Sequence, residues 1–178
     1  MDLKGRKIAV LAEKEYEDLE LWYPLLRFRE AGAQVDVIAP EAEKTYPSKH
    51  GYEVKSDVSA RDVSPERYEM IIVPGGWAPD YLRRNPDVVN MLRESYEHGA
   101  VVGAICHGGS LLCSTGILKG RQMTSFHSIK HDIMNAGAVW TDAEVVVDER
   151  LVSSRTPADL PAFVKGLADA LEHQGSGR

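Results

Sequence analysis

Short apolar runs separated by helical stretches constrain this chain more than any other feature. Ile8-Ala9-Val10-Leu11, Met70-Ile71-Ile72-Val73 and Val101-Val102-Gly103-Ala104-Ile105 are too short for helices and have no polar face. Such runs suit strands buried on both sides of a parallel sheet. Val35-Asp36-Val37-Ile38-Ala39 reads as a further strand. Between these runs the period becomes helical. Asp18 to Ala31 places Leu19, Leu21, Trp22, Leu25, Leu26 and Phe28 on one broad face, with Pro24 inside the first two turns and Gly32 as the stop. Asp87 to His98, Leu111 to Thr115, Ile129 to Ala136 and Asp159 to Glu172 read as further helices, and Ser64-Pro65-Glu66 as a short helix start. Residues 41–59 read as a loop with a small β element, and Val145-Val146-Val147 with Leu151-Val152-Ser153 as an antiparallel hairpin. The alternation predicts an α/β sandwich, helices on both faces of a mostly parallel sheet. Ligands in such sheets sit at the carboxyl ends of the strands.

One domain over residues 1–172 accommodates this pattern, with 173–178 as a frayed, apolar-free tail. Twenty-one basic residues face 27 acidic ones, for a net charge of −6. That balance argues against nucleic acid as a partner, because phosphate contacts need clustered Lys and Arg. No apolar run approaches a membrane span, and the charged stretch Met1 to Lys7 does not read as a signal peptide. The two cysteines, Cys106 and Cys113, form no disulfide framework. A reducing, cytoplasmic setting is the expectation.

Chemistry concentrates at Ala104-Ile105-Cys106-His107-Gly108. A buried strand runs straight into a cysteine, and a helix follows within a few residues. Small residues stand two before and two after it, the sulfur counterpart of a nucleophile elbow. Such a turn strains the nucleophile's backbone and leaves no room for larger flanks. Amides at the start of the following helix are expected to depress the Cys106 pKa towards thiolate. His107 is the candidate general base. Cys113, seven residues on, reads as packing. Gly75 and Gly76 read either as a plain turn or as a turn whose amides, with that of His107, could meet a developing oxyanion. Glu17 taken alone reads as a solvated charge before a helix. Asp80, after Pro79, reads on its own as a helix cap.

Taken together, these segments resemble the ThiJ/PfpI family of the class I glutamine-amidotransferase-like superfamily. The resemblance rests on Ala-Ile-Cys-His-Gly at 104–108 and Val73-Pro74-Gly75-Gly76. Tyr16-Glu17-Asp18-Leu19-Glu20, Lys49-His50-Gly51, 142–148 and 153–160 add to it, so that it covers roughly 7–171 in order. The chain is most similar to the intracellular protease I branch, which includes deglycases. The resemblance implies a three-layer, flavodoxin-like fold with Cys106 as nucleophile and Glu17 hydrogen-bonded to its thiol. It implies homo-oligomers of two to six chains in which a neighbouring subunit's carboxylate, matched here by Asp80, orients His107. Trp77 and Tyr81, if exposed, suit such an interface. The chain departs from the branch at Phe126, where a Tyr is common, and at Gly109, where a Pro is common.

The expected activity is that of a cysteine-nucleophile hydrolase, a peptidase or a protein deglycase, acting on a carbonyl carbon. Cofactor-free conversion of methylglyoxal to lactate is an alternative, as is an oxidative-stress sensor or chaperone built on the same sulfur. No Walker A sequence or G-x-G-x-x-G fingerprint is present, so no nucleotide cofactor is expected. His127 and His131 are spaced for one helix face but lack the glutamate of H-E-x-x-H, so no metal is expected either.

Overall fold

The computed structural model describes residues 1–175, with side chains as far as His173. In chain order the strands are β1 (Lys7–Leu11), β2 (Gln34–Ala39), β3 (Thr45–Pro47), β4 (Glu53–Lys55), β5 (Val58–Ser59), β6 (Met70–Val73), β7 (Val101–Ile105), β8 (Gln122–Met123), β9 (Val139–Trp140), β10 (Val146–Asp148) and β11 (Leu151–Ser154). The helices are α1 (Asp18–Glu30), α2 (Ala78–Leu82), α3 (Pro86–Glu97), α4 (Gly109–Leu112), α5 (Lys130–Asn135) and α6 (Leu160–Gly175).

The main sheet runs β10-β11-β7-β6-β1-β2-β5. Its pairings are parallel except for the β10–β11 hairpin. Pleating sends alternate residues of each strand to opposite faces. Ile8 and Val10 of β1 pack with Leu21, Leu25 and Phe28 of α1 and Phe163 and Leu167 of α6. Ala9 and Leu11 pack on the other face with Val88 and Leu92 of α3, Leu111 of α4 and Ile133 of α5. Each large side chain so buried contributes about 1.5–3 kcal/mol. Two covered faces explain why β1, β6 and β7 are continuous apolar runs rather than alternating ones. The small β3–β4 hairpin is the β element expected within 41–59.

The differences from expectation have local causes. Leu19 and Leu26 are 57% and 56% exposed, so the buried face of α1 is narrower than its apolar content suggests. Glu20 and Pro24 fill that face instead. Ser64 to Glu66 starts no helix; a 3-10 turn at Ala60–Asp62 precedes it, and the chain then only turns. The helix after Cys106 begins earlier and ends sooner than Leu111 to Thr115, because Gly109–Leu112 completes it. The parallel pair β8–β9, two residues each, was too short to leave a sequence pattern. α6 continues through 173–175, where a frayed tail was expected, while 176–178 lie outside the described residues. Among the described residues no helix is long and apolar enough to cross a membrane.

Candidate active site

The carboxyl ends of β1, β6 and β7 converge, and three loops meet there. β7 is buried throughout and delivers Cys106 at φ +58°, the left-handed region that a residue with a Cβ rarely adopts. A 3-10 turn, Cys106–Gly108, leads directly into α4. The strained turn expected at Cys106 is therefore present. Its tightness has a steric cause: a Cβ on Gly108 would lie 2.3 Å from the Val73 carbonyl oxygen. From the β6 side, Gly76 takes φ +73°, and a Cβ there would lie 2.4 Å from the Glu15 carbonyl oxygen. These contacts press the 74–77 loop against both the β1 loop and the elbow.

Cys106 is 8% exposed. Its sulfur lies 3.4 Å from His107 Nδ1 and faces the amides of His107 and Gly76. The carboxyl beside it belongs to Glu20, not to Glu17 as expected. Glu17 is the N-cap of α1: its Oε2 accepts from the Glu20 amide at 3.0 Å, and its Oε1 is 3.8 Å from Lys49 Nζ. Capping holds Glu17 at the helix entrance. One turn further on, Glu20 points inward with the apolar face. Glu20 Oε2 accepts from the Gly75 amide at 2.7 Å. This corrects the part assigned to Gly75, whose N–H is taken up by Glu20 and is not aimed at an oxyanion. The amides of Gly76 and His107 are the ones that face the sulfur.

The ionisation of this pair also differs from expectation. Burial, and then the negative charge of Glu20, push the Cys106 thiol up to about 12. The two amides oppose this more weakly. Burial likewise pushes Glu20 up to about 7, against the pull of the Gly75 amide. The resting thiol is thus protonated next to a carboxyl that changes its charge at about 7. Burial lowers His107 below the usual imidazole range, and Lys49 adds to this. His107 Nε2 lies 3.2 Å from Ser128 Oγ, and in the neutral tautomer whose Nε2–H donates there, Nδ1 is an acceptor facing the sulfur. The ring is stacked on Phe126 at a centroid distance of 4.9 Å and lies 5.7 Å from Trp77, which is 61% exposed. Phe126 therefore contributes a face where a hydroxyl was missing.

Glu17, Glu20, Lys49, Cys106, His107 and Phe126 enclose part of a cavity of about 230 Å³. Asp80 stays outside it. Its carboxylate pairs with Arg84, and it borders a neighbouring recess of about 380 Å³ that His107 and Trp77 also line. Among the described residues, the metal-capable atoms that cluster within 4.8 Å are those of Glu17, Asp18 and His50. Asp18 accepts there from Ser48 at 2.6 Å and pairs with His50 at 2.7 Å, which ties the 48–51 turn to α1. His127 and His131 do not join a third ligand in that grouping. Sequence reasoning missed Glu20, Ser128 and the use of Lys49.

The model of the DJ-1/PfpI family matches residues 6–170. "Deglycase PH1704" of Pyrococcus horikoshii is 44% identical over 93% of this chain and 99% of its own. "Protein/nucleic acid deglycase 2" of Escherichia coli is 45% identical over 89% of this chain and 94% of its own. A two-domain protein of Anabaena variabilis, containing DJ-1/ThiJ/PfpI-like and ferritin-like domains, superposes with a TM-score of 0.91 at 36% identity. That likeness covers 94% of this chain and 48% of the other. With the family's model matched along nearly its whole length, the chain belongs to the DJ-1/PfpI family.

Proposed function

We propose that the protein is a Cys106-dependent deglycase that removes early dicarbonyl adducts from amino and thiol groups. The observation that carries this reading is the small, partly enclosed cavity over the sulfur, about 230 Å³ in volume. A three-carbon adduct and the end of a side chain fit such a space, whereas a peptidase needs an extended groove for main chain on both sides of the scissile bond. Relatives named as deglycases support the same choice.

In this reading the sulfur adds to a carbonyl carbon of the adduct while His107 Nδ1 takes the thiol proton. Transfer during attack suits a thiol that burial keeps protonated. Charge gathering on the former carbonyl oxygen is met by the amides of Gly76 and His107. Glu20, when protonated, donates towards the sulfur and offsets the charge left there. Over the cycle the adduct's C–N or C–S bond breaks, hydrogen moves from the former aldehyde carbon to the former ketone carbon so that no outside oxidant is needed, and one water releases the carbon from the Cys106 sulfur; the amine or thiol leaves together with a 2-hydroxy acid. A neighbouring subunit closes the recess beside His107, and Asp80 contributes to that closure. The test is a panel given to the wild-type protein: methylglyoxal-modified N-acetylcysteine, methylglyoxal alone and unmodified peptides. Rapid release of N-acetylcysteine is the expected result. Peptide cleavage without that release would replace this reading with the peptidase one, and turnover of free methylglyoxal alone would replace it with the glyoxalase one.

A further inference from the structure

A second recess, of about 310 Å³, lies next to the Cys106 cavity. Phe126 and Thr156 line both, so they form a ridge between them. On the far side stand Trp140, Asp142 and Arg155. We propose that this recess is a subsite for the polypeptide that flanks a modified side chain, with Trp140 as its apolar floor and Asp142 as its hydrogen-bond acceptor. The proposal rests on the deglycase reading and extends it from small adducts to modified proteins.

The recess is built from fixed parts. Trp140 Nε1 donates to Ser125 Oγ at 3.0 Å, which sets the plane of the indole. Lys130 Nζ sits 4.8 Å from the indole centroid and restrains it further. Arg155 is gripped by Asp159, with Nε to Oδ2 at 2.9 Å and Nη2 to Oδ1 at 3.0 Å. Its Nη1 donates to Asp142 Oδ1 at 2.8 Å and so aims that carboxylate. Asp142 is nevertheless 68% exposed, and a main-chain N–H or a basic side chain can still reach it. Phe126 is 37% exposed, so the ridge is open to a crossing ligand and not sealed under a loop. A side chain entering the Cys106 cavity leaves its own main chain near this ridge. The residue next in sequence then covers the indole, and its amide meets Asp142. Aromatic surface held rigid by neighbours binds at little entropic cost. The side chains that dicarbonyls modify include Lys and Arg, and the acidic balance of this chain, −6, favours peptides rich in them.

Such binding acts at a distance from the reacting atoms, so it shows in KM and not in kcat. The experiment compares methylglyoxal-modified N-acetylcysteine with a pentapeptide carrying the same modified cysteine at its centre. For the wild-type protein the pentapeptide is expected to have a KM about tenfold lower, the size that covering part of an indole gives. Trp140→Ala should abolish that advantage and leave kcat and the small substrate's KM unchanged. Asp142→Asn, at an exposed position, should remove part of it and serves if the Trp140 variant does not fold. Equal KM values for the two substrates in the wild type would overturn the subsite while leaving the deglycase reading intact. So would an equal rise for both substrates in both variants. Failure of the wild type to turn over even the small adduct would overturn the deglycase reading and the subsite with it.

Discussion

Glu20 precedes Pro24 and Phe28 by four and eight residues, on the face of α1 that is buried. A carboxylate at that helical spacing is the sequence signal that identifies it, and the more conspicuous Glu17 at the helix entrance obscured it. Ser128 left no such signal: it stands 21 residues from His107 in sequence, and only the fold joins them. The placement of Cys106 and His107 side by side at the end of a buried strand, by contrast, was legible because the turn is local. The raised Glu20 carboxyl has a thermodynamic consequence. Between its ordinary 4.5 and about 7 the folded chain binds more protons than the unfolded one. The associated stability is full below the lower value and is lost as pH rises through the upper one, by about 3 kcal/mol. Urea unfolding should therefore show wild type losing that amount relative to Glu20→Gln between pH 4.5 and pH 8. A gap that does not change with pH would contradict the assignment. Because the Glu20 charge raises the thiol, the same substitution should also move the iodoacetamide-alkylation profile of Cys106 to lower pH. Ser128→Ala should lower kcat by about tenfold, a typical share of a general base's effect. Its pH profile should shift and Ser128→Thr should recover activity, whereas loss of mere packing would move neither.

At the scale of elements, the β7–α4 elbow is the part on which the proposed chemistry depends. Gly108 has a right-handed backbone, φ −53°, so alanine there meets no torsional objection. Its methyl would instead press on the Val73 carbonyl oxygen from 2.3 Å. Gly108→Ala should cost about 3 kcal/mol by overpacking and remove turnover. Gly116→Ala is the control: at φ +80°, with nothing within 4 Å of the added methyl, it carries only backbone strain of about 1 kcal/mol. Thermal midpoints of the two variants, read beside activity, separate steric from torsional cost. Equal losses would argue against the close approach. The strands of the main sheet were legible because burial on both faces makes them uniformly apolar. β8 and β9 were not, since two-residue strands have no period. The buried face of α1 is narrower than its apolar residues imply because Leu19 and Leu26 are apolar but face outward.

For the whole molecule, the parallel sheet order decides which loops meet. It brings the loops after β1, β6 and β7 to one end, where residues distant in sequence form one site. The architecture followed from the alternation of runs, but which carboxylate meets the sulfur did not, because that depends on the rotation of α1 against β6. Assembly belongs to this scale too. Asp80 and His107 border the same recess without touching, and Trp77 beside them is largely exposed. Light scattering should give a mass of two or more times 19.7 kDa. A strict monomer would remove Asp80 from the mechanism. Asp80→Asn should weaken turnover in the assembled protein without altering the elbow. The central claim, that the Cys106 sulfur performs the attack, is tested most directly by one comparison. Wild type and Cys106→Ser are given methylglyoxal-modified N-acetylcysteine under identical conditions, and released N-acetylcysteine is measured. Release by the wild type alone is the predicted result; release at a similar rate by the serine variant would contradict the account.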